Sequence, residues 1–375
     1  MPSVHFFRWV DNLPIGFLDM YWLNITGSKY DVYHDKFKKT YLYTAKRKVA
    51  HIKGEYVLSK KFPFFYQKLR PLFEVTENVF LQTIIEELKP DIIHSFEMQS
   101  CSYPILKTMN KYSDIKWIYS SWGSDLHYYR QFSSHRKMIA KVLQRVNYLI
   151  TDCKRDYGLA NALNFNGIYL GAFPGGGGYD INEFIKYSLP FKKRTVILVK
   201  GYQHNFGRAL KVVKAMELIS SQLKLYKVVV FGAHISVIDY IEEKKIGFET
   251  FHRHQLKHEE VIKLMGESLI YIGNSTSDGI PNTLLEAVSM GAFPIQSNPG
   301  KASEEIIENE KNGLLINNPE DITEIKNIIL ASLKSSNRLK KAFDYNLELA
   351  KRNLNKEIIK QKIHDAYASV LGNKS

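Results

Sequence analysis

The sequence is poor in cysteine. Cys101 and Cys153 are the only two; they lie far apart and form no Cys-x-x-Cys, which sets aside a disulfide framework and a zinc ribbon and leaves both as buried free thiols. No apolar run approaches the ~20 residues of a membrane-spanning helix, and Met1 to Val10 lacks the basic, apolar, then small-residue layout of a secretory signal. A soluble, cytosolic chain is expected. Acidic residues are also in deficit, 38 Asp plus Glu against 52 Lys plus Arg, a formal +14 that excludes an acidic disordered chain. What is present is core material. With 45% hydrophobic and 13% aromatic residues in 375, the chain exceeds what one core usually spans, and two domains are the default.

The positive charge is concentrated. Residues 31–70 hold 11 basic and 3 acidic side chains. Lys36, Lys38, Lys39, Lys46, Arg47, Lys48, Lys53, Lys60, Lys61, Lys68 and Arg70 alternate with Tyr30, Tyr33, Phe37, Tyr41, Tyr43, Phe62, Phe64, Phe65 and Tyr66. Basic residues interleaved with aromatics suit anionic lipid headgroups or a phosphorylated ligand; a merely solvated face is the alternative. No helix-turn-helix, zinc-finger or RNP-like signature accompanies them, so nucleic acid is not expected as a partner.

From Thr76 onward, short β-branched runs alternate with helical periods, the signature of parallel α/β units. Leu81, Ile84, Ile85 and Leu88 mark one helix face and Pro90 ends it. Strands are predicted over 91–95, 116–120, 147–151, 195–199, 228–231, 269–272, 293–296 and 314–316. Helices are predicted over 134–146, 257–265, 283–290, 302–309, 322–333 and along 337–371. Gly171, Pro174 and the run Gly175 to Gly178 interrupt this grammar; a linker and a phosphate-cradling loop are both open readings. The division is a Rossmann-like domain over 1–175, a Gly/Pro-containing linker over 176–194, a second Rossmann-like domain over 195–350, and a helix over 351–375 that packs back on the first domain. The fold class is α/β, with two doubly wound domains facing each other across a cleft.

The densest signal runs from Gly273 through Asn274, Asp278, Gly279, Ile280, Pro281 and Asn282 to Thr283, Leu284 and Glu286. A strand ends, a polar turn delivers Asp278 and Gly279, and Pro281 with Asn282 prepares a helix start. The N–H groups of Thr283 and Leu284 are expected to face the cleft as an anion site aided by the helix dipole. Glu286 is placed to accept hydrogen bonds from vicinal hydroxyls such as a ribose, and Asp278 from hydroxyls beyond the phosphate. His252, His254 and His258 read as solvated or nucleotide-adjacent rather than as metal ligands.

Asp278 to Glu286, followed by Ala287-Val288-Ser289-Met290-Gly291-Ala292, resembles the acidic-x7-Glu signature of the family 4 retaining glycosyltransferases of the GT-B fold, with Asp278 where Glu is usual. Pro299-Gly300 with Glu304 and Glu305, Asn312-Gly313-Leu314-Leu315, Pro90-Asp91-Ile92-Ile93-His94 and Trp122-Gly123-Ser124-Asp125 are similar to further segments of that family. Two departures stand out. Trp122 occupies the place of a donor-touching histidine, and Tyr202 and Phe206 occupy the usual basic positions after Gly201. Arg208 and Lys200 either replace that diphosphate clamp or leave it weakened.

The resemblance implies transfer of a sugar from a nucleotide-diphosphate donor, a UDP-sugar as the family expectation, with retention, to a saccharide or lipid-linked hydroxyl in cell-surface polysaccharide or glycolipid synthesis. A hexosyl- or N-acetylhexosaminyltransferase is expected. The alternatives are a catalytically silent nucleotide-sugar-binding subunit and a GT-B epimerase or phosphorylase. The implied catalytic residues are Asp278, Glu286 and Arg208. Lys200, Gly201, Gly279, Ile280, Pro281, Asn282, Thr283, Leu284 and Arg253 would bind the donor, and Trp122, Gly123, Asp125 and Glu97 would line the opposite wall. Because no Asp-x-Asp occurs, neither a metal nor another cofactor is expected. The first domain would receive the acceptor, and the protein would sit peripherally on an anionic membrane at the cytoplasmic face.

Overall fold

The computed structural model describes residues 3–13, 16, 18–27 and 34–372. Tyr30, Asp31 and Tyr33 of the basic-aromatic segment lie outside the described residues. The strands are β1 (Met20–Asn24), β2 (Phe37–Leu42), β3 (Ile92–Phe96), β4 (Lys116–Ser120), β5 (Tyr148–Thr151), β6 (Ile168–Ala172), β7 (Val196–Lys200), β8 (Lys227–Ala233), β9 (Glu249–His252), β10 (Ser268–Gly273), β11 (Phe293–Ser297) and β12 (Leu314–Ile316). They form three sheets: a β1-β2 pair, a four-stranded sheet ordered β3-β4-β5-β6, and a six-stranded sheet ordered β12-β11-β10-β7-β8-β9. Every ladder is parallel. Strands covered by helices on both faces need near-continuous apolar runs, and Val196-Ile197-Leu198-Val199 is such a run, buried throughout.

The order of the larger sheet reverses between β7 and β10. This is the doubly wound arrangement, in which ligands bind beyond the carboxyl ends of the strands at the switch point. Lys200 ends β7 and Gly273 ends β10, so the chain itself brings Lys200 and the loop leading to Asp278 to that crevice. The carboxyl ends of β3, β4 and β5 face it from the smaller sheet through Phe96, Ser120 and Thr151.

Residues 302–309 do not form the helix that their pattern predicts. A single 3-10 turn at Ser303–Glu305 stands there, because the Glu305 carboxylate turns to the other half of the molecule and accepts from the backbone N–H groups of Lys154 and Arg155 at 2.8 and 2.9 Å. The C-terminal segment divides at Leu354. The helix Ser336–Asn353 buries Leu339 and Ala342 in the core of the six-stranded sheet. The helix Lys356–Leu371 places Ile359, Ile363, Tyr367 and Val370 among Phe6, Trp9, Phe96 and Ile118 of the first half. Tyr367 Oη accepts from Trp9 Nε1 at 3.1 Å and meets His94 Nδ1 at 2.6 Å.

The four glycines 175–178 all adopt φ in the left-handed region, from +70° to +154°. They form a packed junction. A side chain at Gly177 would overlap Asn12, one at Gly178 would press on Leu354 O, and one at Gly175 on Asn282 and Tyr179. The N–H of Gly175 is bound to Asp152 Oδ1 at 3.2 Å and that of Gly176 to Phe173 O at 3.2 Å. Both are thus committed within the protein, which removes the phosphate-cradle reading of these two amides. The run instead seats the first helix, α1 (Val4–Asp11).

Candidate active site

A cavity of about 370 Å³ opens between the two larger sheets. Trp122, Thr151 and Asp152 line it from one side, Lys200, Tyr202, Asp278, Ile280, Pro281, Asn282 and Thr283 from the other, and His5 and Trp9 of α1 from a third. Of the residues singled out in the sequence, the structure therefore brings Asp278, Lys200, Ile280, Pro281, Asn282, Thr283 and Trp122 to one space.

The helix Asn282–Ser289 begins at that space with Pro281 as its cap. Helix geometry leaves the N–H groups of Asn282 and Thr283 without an intrahelical acceptor. Leu284 is different: its N–H donates to Pro281 O at 3.0 Å and its side chain is fully buried in the core, so the expectation that it faces the cleft is corrected. Glu286, one turn in, is buried, and its Oε1 meets Arg8 Nη2 at 3.1 Å and His258 Nε2 at 2.9 Å. Asp278 accepts from the N–H of Gly279 at 3.0 Å. Lys200 is held in the low dielectric between these acids: burial lowers its pKa, while Asp278 and Glu286 act in the opposite sense. Its Nζ stands 4.7 Å from the centre of the Tyr202 ring, and the Arg253 guanidinium 5.1 Å from it. Tyr202 thus carries no charge itself but holds two cations beside the cavity.

Arg208 is not brought there. Its Nε pairs with Glu320 and its Nη1 donates to the carbonyls of His204 and Gly207, both at 2.9 Å. It fixes the turn after β7, because Glu320 offers it a carboxylate on the far side of that turn. Phe206 packs edge-on against Tyr128 of the first half at 4.8 Å. Asp125 and Glu97 are likewise occupied. Asp125 accepts from Trp122 N at 2.9 Å, Met98 N at 3.1 Å and Tyr119 Oη at 2.6 Å, and burial with the nearby Glu97 raises its pKa to about 8. Glu97 accepts from the N–H groups of Gln99 and Ser100. Both carboxylates hold loops and neither lines the cavity. Gly123 and Gly279 meet backbone to backbone, where any side chain would overlap. Gly201 turns the chain after Lys200 through N–H donation to Phe231 O at 2.8 Å.

Sequence reasoning passed over Asp152, His5, Arg8 and Arg155. Asp152 had a signal: it follows β5 directly, where such sheets place ligands. Its carboxylate accepts from Ile280 N at 2.7 Å and Gly175 N at 3.2 Å, and burial pushes its pKa up to about 7. An unfolded aspartate titrates near ~3.9. Protonated Asp152 thus contributes stability that is whole below the unfolded pKa and is lost as pH rises through about 7. Asp152→Asn is expected to flatten that pH dependence while stranding one N–H, at a cost of about 1–3 kcal/mol. Urea unfolding at pH 5 and pH 8 reads both, and a wild-type slope in the variant would refute the assignment.

The fold and this crevice define a class: a GT-B glycosyltransferase, with two Rossmann-like domains and the cavity between them. The family described as glycosyl transferases group 1 matches residues 180–349, and the family described as glycosyl transferase 4-like matches residues 56–153. Through these two matches both halves of the chain are similar to family-4-like glycosyltransferases. No curated protein matches its sequence. Among solved structures it is similar to sucrose-phosphate synthase from Thermosynechococcus elongatus (14% identity, TM-score 0.65, covering 94% of this chain and 88% of that one). It is also similar to a glycosyltransferase from Rickettsia africae (19%, 0.57, 79% and 80%) and to Anabaena HepE in complex with UDP and glucose (14%, 0.56, 78% and 81%).

Proposed function

We propose that this glycosyltransferase moves a hexosyl or N-acetylhexosaminyl unit from a UDP-sugar, with retention, to a hydroxyl of a saccharide or lipid-linked acceptor in cell-surface polysaccharide or glycolipid synthesis. The observation that carries the reading is the convergence of Lys200, the start of the helix Asn282–Ser289 and the carboxylate of Asp278 on one cavity, with Glu286 on the next turn of that helix. The acceptor's hydroxyl oxygen bonds to the anomeric carbon as the bond from that carbon to the phosphate oxygen breaks; the electron pair leaves on the diphosphate, whose departing oxygen takes the hydroxyl proton. Lys200 and the free amides of Asn282 and Thr283 stabilise that charge. Glu286 holds the ribose, Asp278 the sugar hydroxyls, and Trp122 offers an apolar face to a sugar ring. Charge stabilisation by protein groups is the basis for reading the reaction as metal-independent. Incubation with a panel of α-configured nucleotide sugars, with product linkage determined by NMR, tests this. An α product is expected, and a β product would overturn retention.

We also propose that the first domain docks on the anionic inner face of the cell membrane. No described helix is long and apolar enough to cross a membrane. The helices α2 (Glu55–Lys61) and α3 (Pro63–Phe73) instead expose Tyr56, Phe65 and Leu72 at 74%, 61% and 65%, beside exposed Lys53, Lys60 and Lys61. Arg47 and Arg70 do not belong to this surface, since each is bound to acidic partners: Arg47 to Glu55, and Arg70 to Glu74 and Glu77. At ~1 kcal/mol per lysine near an anionic bilayer, Lys53→Glu, Lys60→Glu and Lys61→Glu together are expected to weaken sedimentation with phosphatidylglycerol vesicles by about a hundredfold. Binding that ignores both the variant and added salt would leave the charge a solubility feature.

A further inference from the structure

We propose that α1 is part of the donor site and that Arg8 binds the donor's diphosphate. This rests on the nucleotide-sugar reading above. The matched family segments begin at residue 56, so α1 lies outside both. Its position is nonetheless built into the fold. Gly176 approaches His5 O and Gly177 approaches Asn12 and Arg8 O, closer than any side chain would allow at Gly177, and Asn12 Nδ2 donates to Arg8 O at 2.7 Å. From this seat His5 Nδ1 lies 2.8 Å from Asn282 Nδ2, at the start of the helix that carries Glu286.

The Arg8 guanidinium is half used. Nη2 donates to Glu286 at 3.1 Å, and the group lies over the Tyr179 ring at 5.4 Å, while Nη1 is buried with no hydrogen-bond partner among the described residues. A charged N–H left without an acceptor in the protein is costly, and an incoming anion supplies one. Arg8 is not itself on the cavity wall, but it lies one helical turn from His5, which is, and the charges of Arg8 and Lys200 act on His5 against those of Asp278 and Glu286. In the second domain Lys200 lines the cavity with Arg253 beside it, but Tyr202 and Phe206 are uncharged and Arg208 is bound to Glu320. Arg8 brings from the first helix the charge that those positions lack, and the carboxylate of Glu286 holds it in place.

Titration calorimetry of the full chain with UDP and with UMP separates this role from a structural one, because the two ligands differ by the β-phosphate. Arg8→Ala is expected to weaken UDP by about tenfold or more, the loss of one charge-assisted contact, and UMP by under about threefold. Arg8→Lys is expected to keep most of the UDP-over-UMP preference. Equal losses for both ligands would mean that Arg8 acts only by holding Glu286, no loss would make it structural, and a gain would make α1 a plug over the site; each overturns the proposal. Should Arg8→Ala melt, Arg8→Gln reads the same ratio with the packing on Tyr179 kept. Wild-type protein that binds none of UDP, GDP and ADP would refute the nucleotide-sugar reading itself, and this inference with it.

Discussion

Glu286→Ala is expected to lower kcat/KM for the donor by about 10²–10⁴. Two hydrogen bonds from ribose hydroxyls to a buried carboxylate are worth about 1.5–3 kcal/mol each, and each 1.36 kcal/mol is tenfold in rate. His258 and Arg8 meet Glu286 as donors, so without the carboxylate the ribose would face a cation and an imidazole instead of an acceptor. Steady-state kinetics with the donor found in the panel above, together with calorimetry of UDP, measures the loss. Affinity and rate within threefold of wild type would show that the ribose lies elsewhere.

Arg155→Ala is expected to destabilise the protein by about 3–5 kcal/mol, the cost of stranding one member of a buried ion pair. The Arg155 and Asp156 side chains are 8% and 0% exposed. Arg155 Nε donates to Asp156 Oδ1 at 2.9 Å, and Nη1 reaches across to Asp278 O at 2.9 Å and Pro299 O at 2.8 Å. One guanidinium therefore neutralises an acid in the first half and ties down the loop that presents Asp278 in the second. Burial already raises the pKa of Asp156, and Arg155 is what opposes that rise. A raised pKa means stability that is present in acid and lost as pH rises. The gap between variant and wild type should accordingly widen from pH 5 to pH 8 in urea unfolding, and donor binding should fall with it. A gap that narrows over that range would refute the pairing.

Much of the scaffold was legible because its signals are local. Short apolar runs bounded by polar turns gave β4 and β12 to the residue, and helical periodicity gave the helix Ile322–Leu333. The stretch from Gly273 to Glu286 was legible for the same reason: a strand end, a polar turn and a proline-capped helix are each specified within a few residues. The failures share a different cause. Residues 302–309 carry a helical pattern, but Glu305 gains more by capping the backbone of Lys154 and Arg155 across the cleft. Arg208 has the sequence neighbourhood of a diphosphate ligand, and a carboxylate 112 residues away takes it.

By itself, then, the sequence determined two Rossmann-like α/β domains, the spacing that puts seven residues between Asp278 and Glu286 along one loop and helix, and a basic-aromatic segment in the first half. Only the tertiary structure decided which charges meet those acids. His5 and Arg8 reach Asn282 and Glu286 from 277 and 278 residues away, through a helix seated on four glycines that read in the sequence as a linker or a phosphate loop. Periodicity and capping report on a chain's neighbours within a turn or two. Contacts over hundreds of residues are fixed by how the packed layers dock, and no local pattern records them.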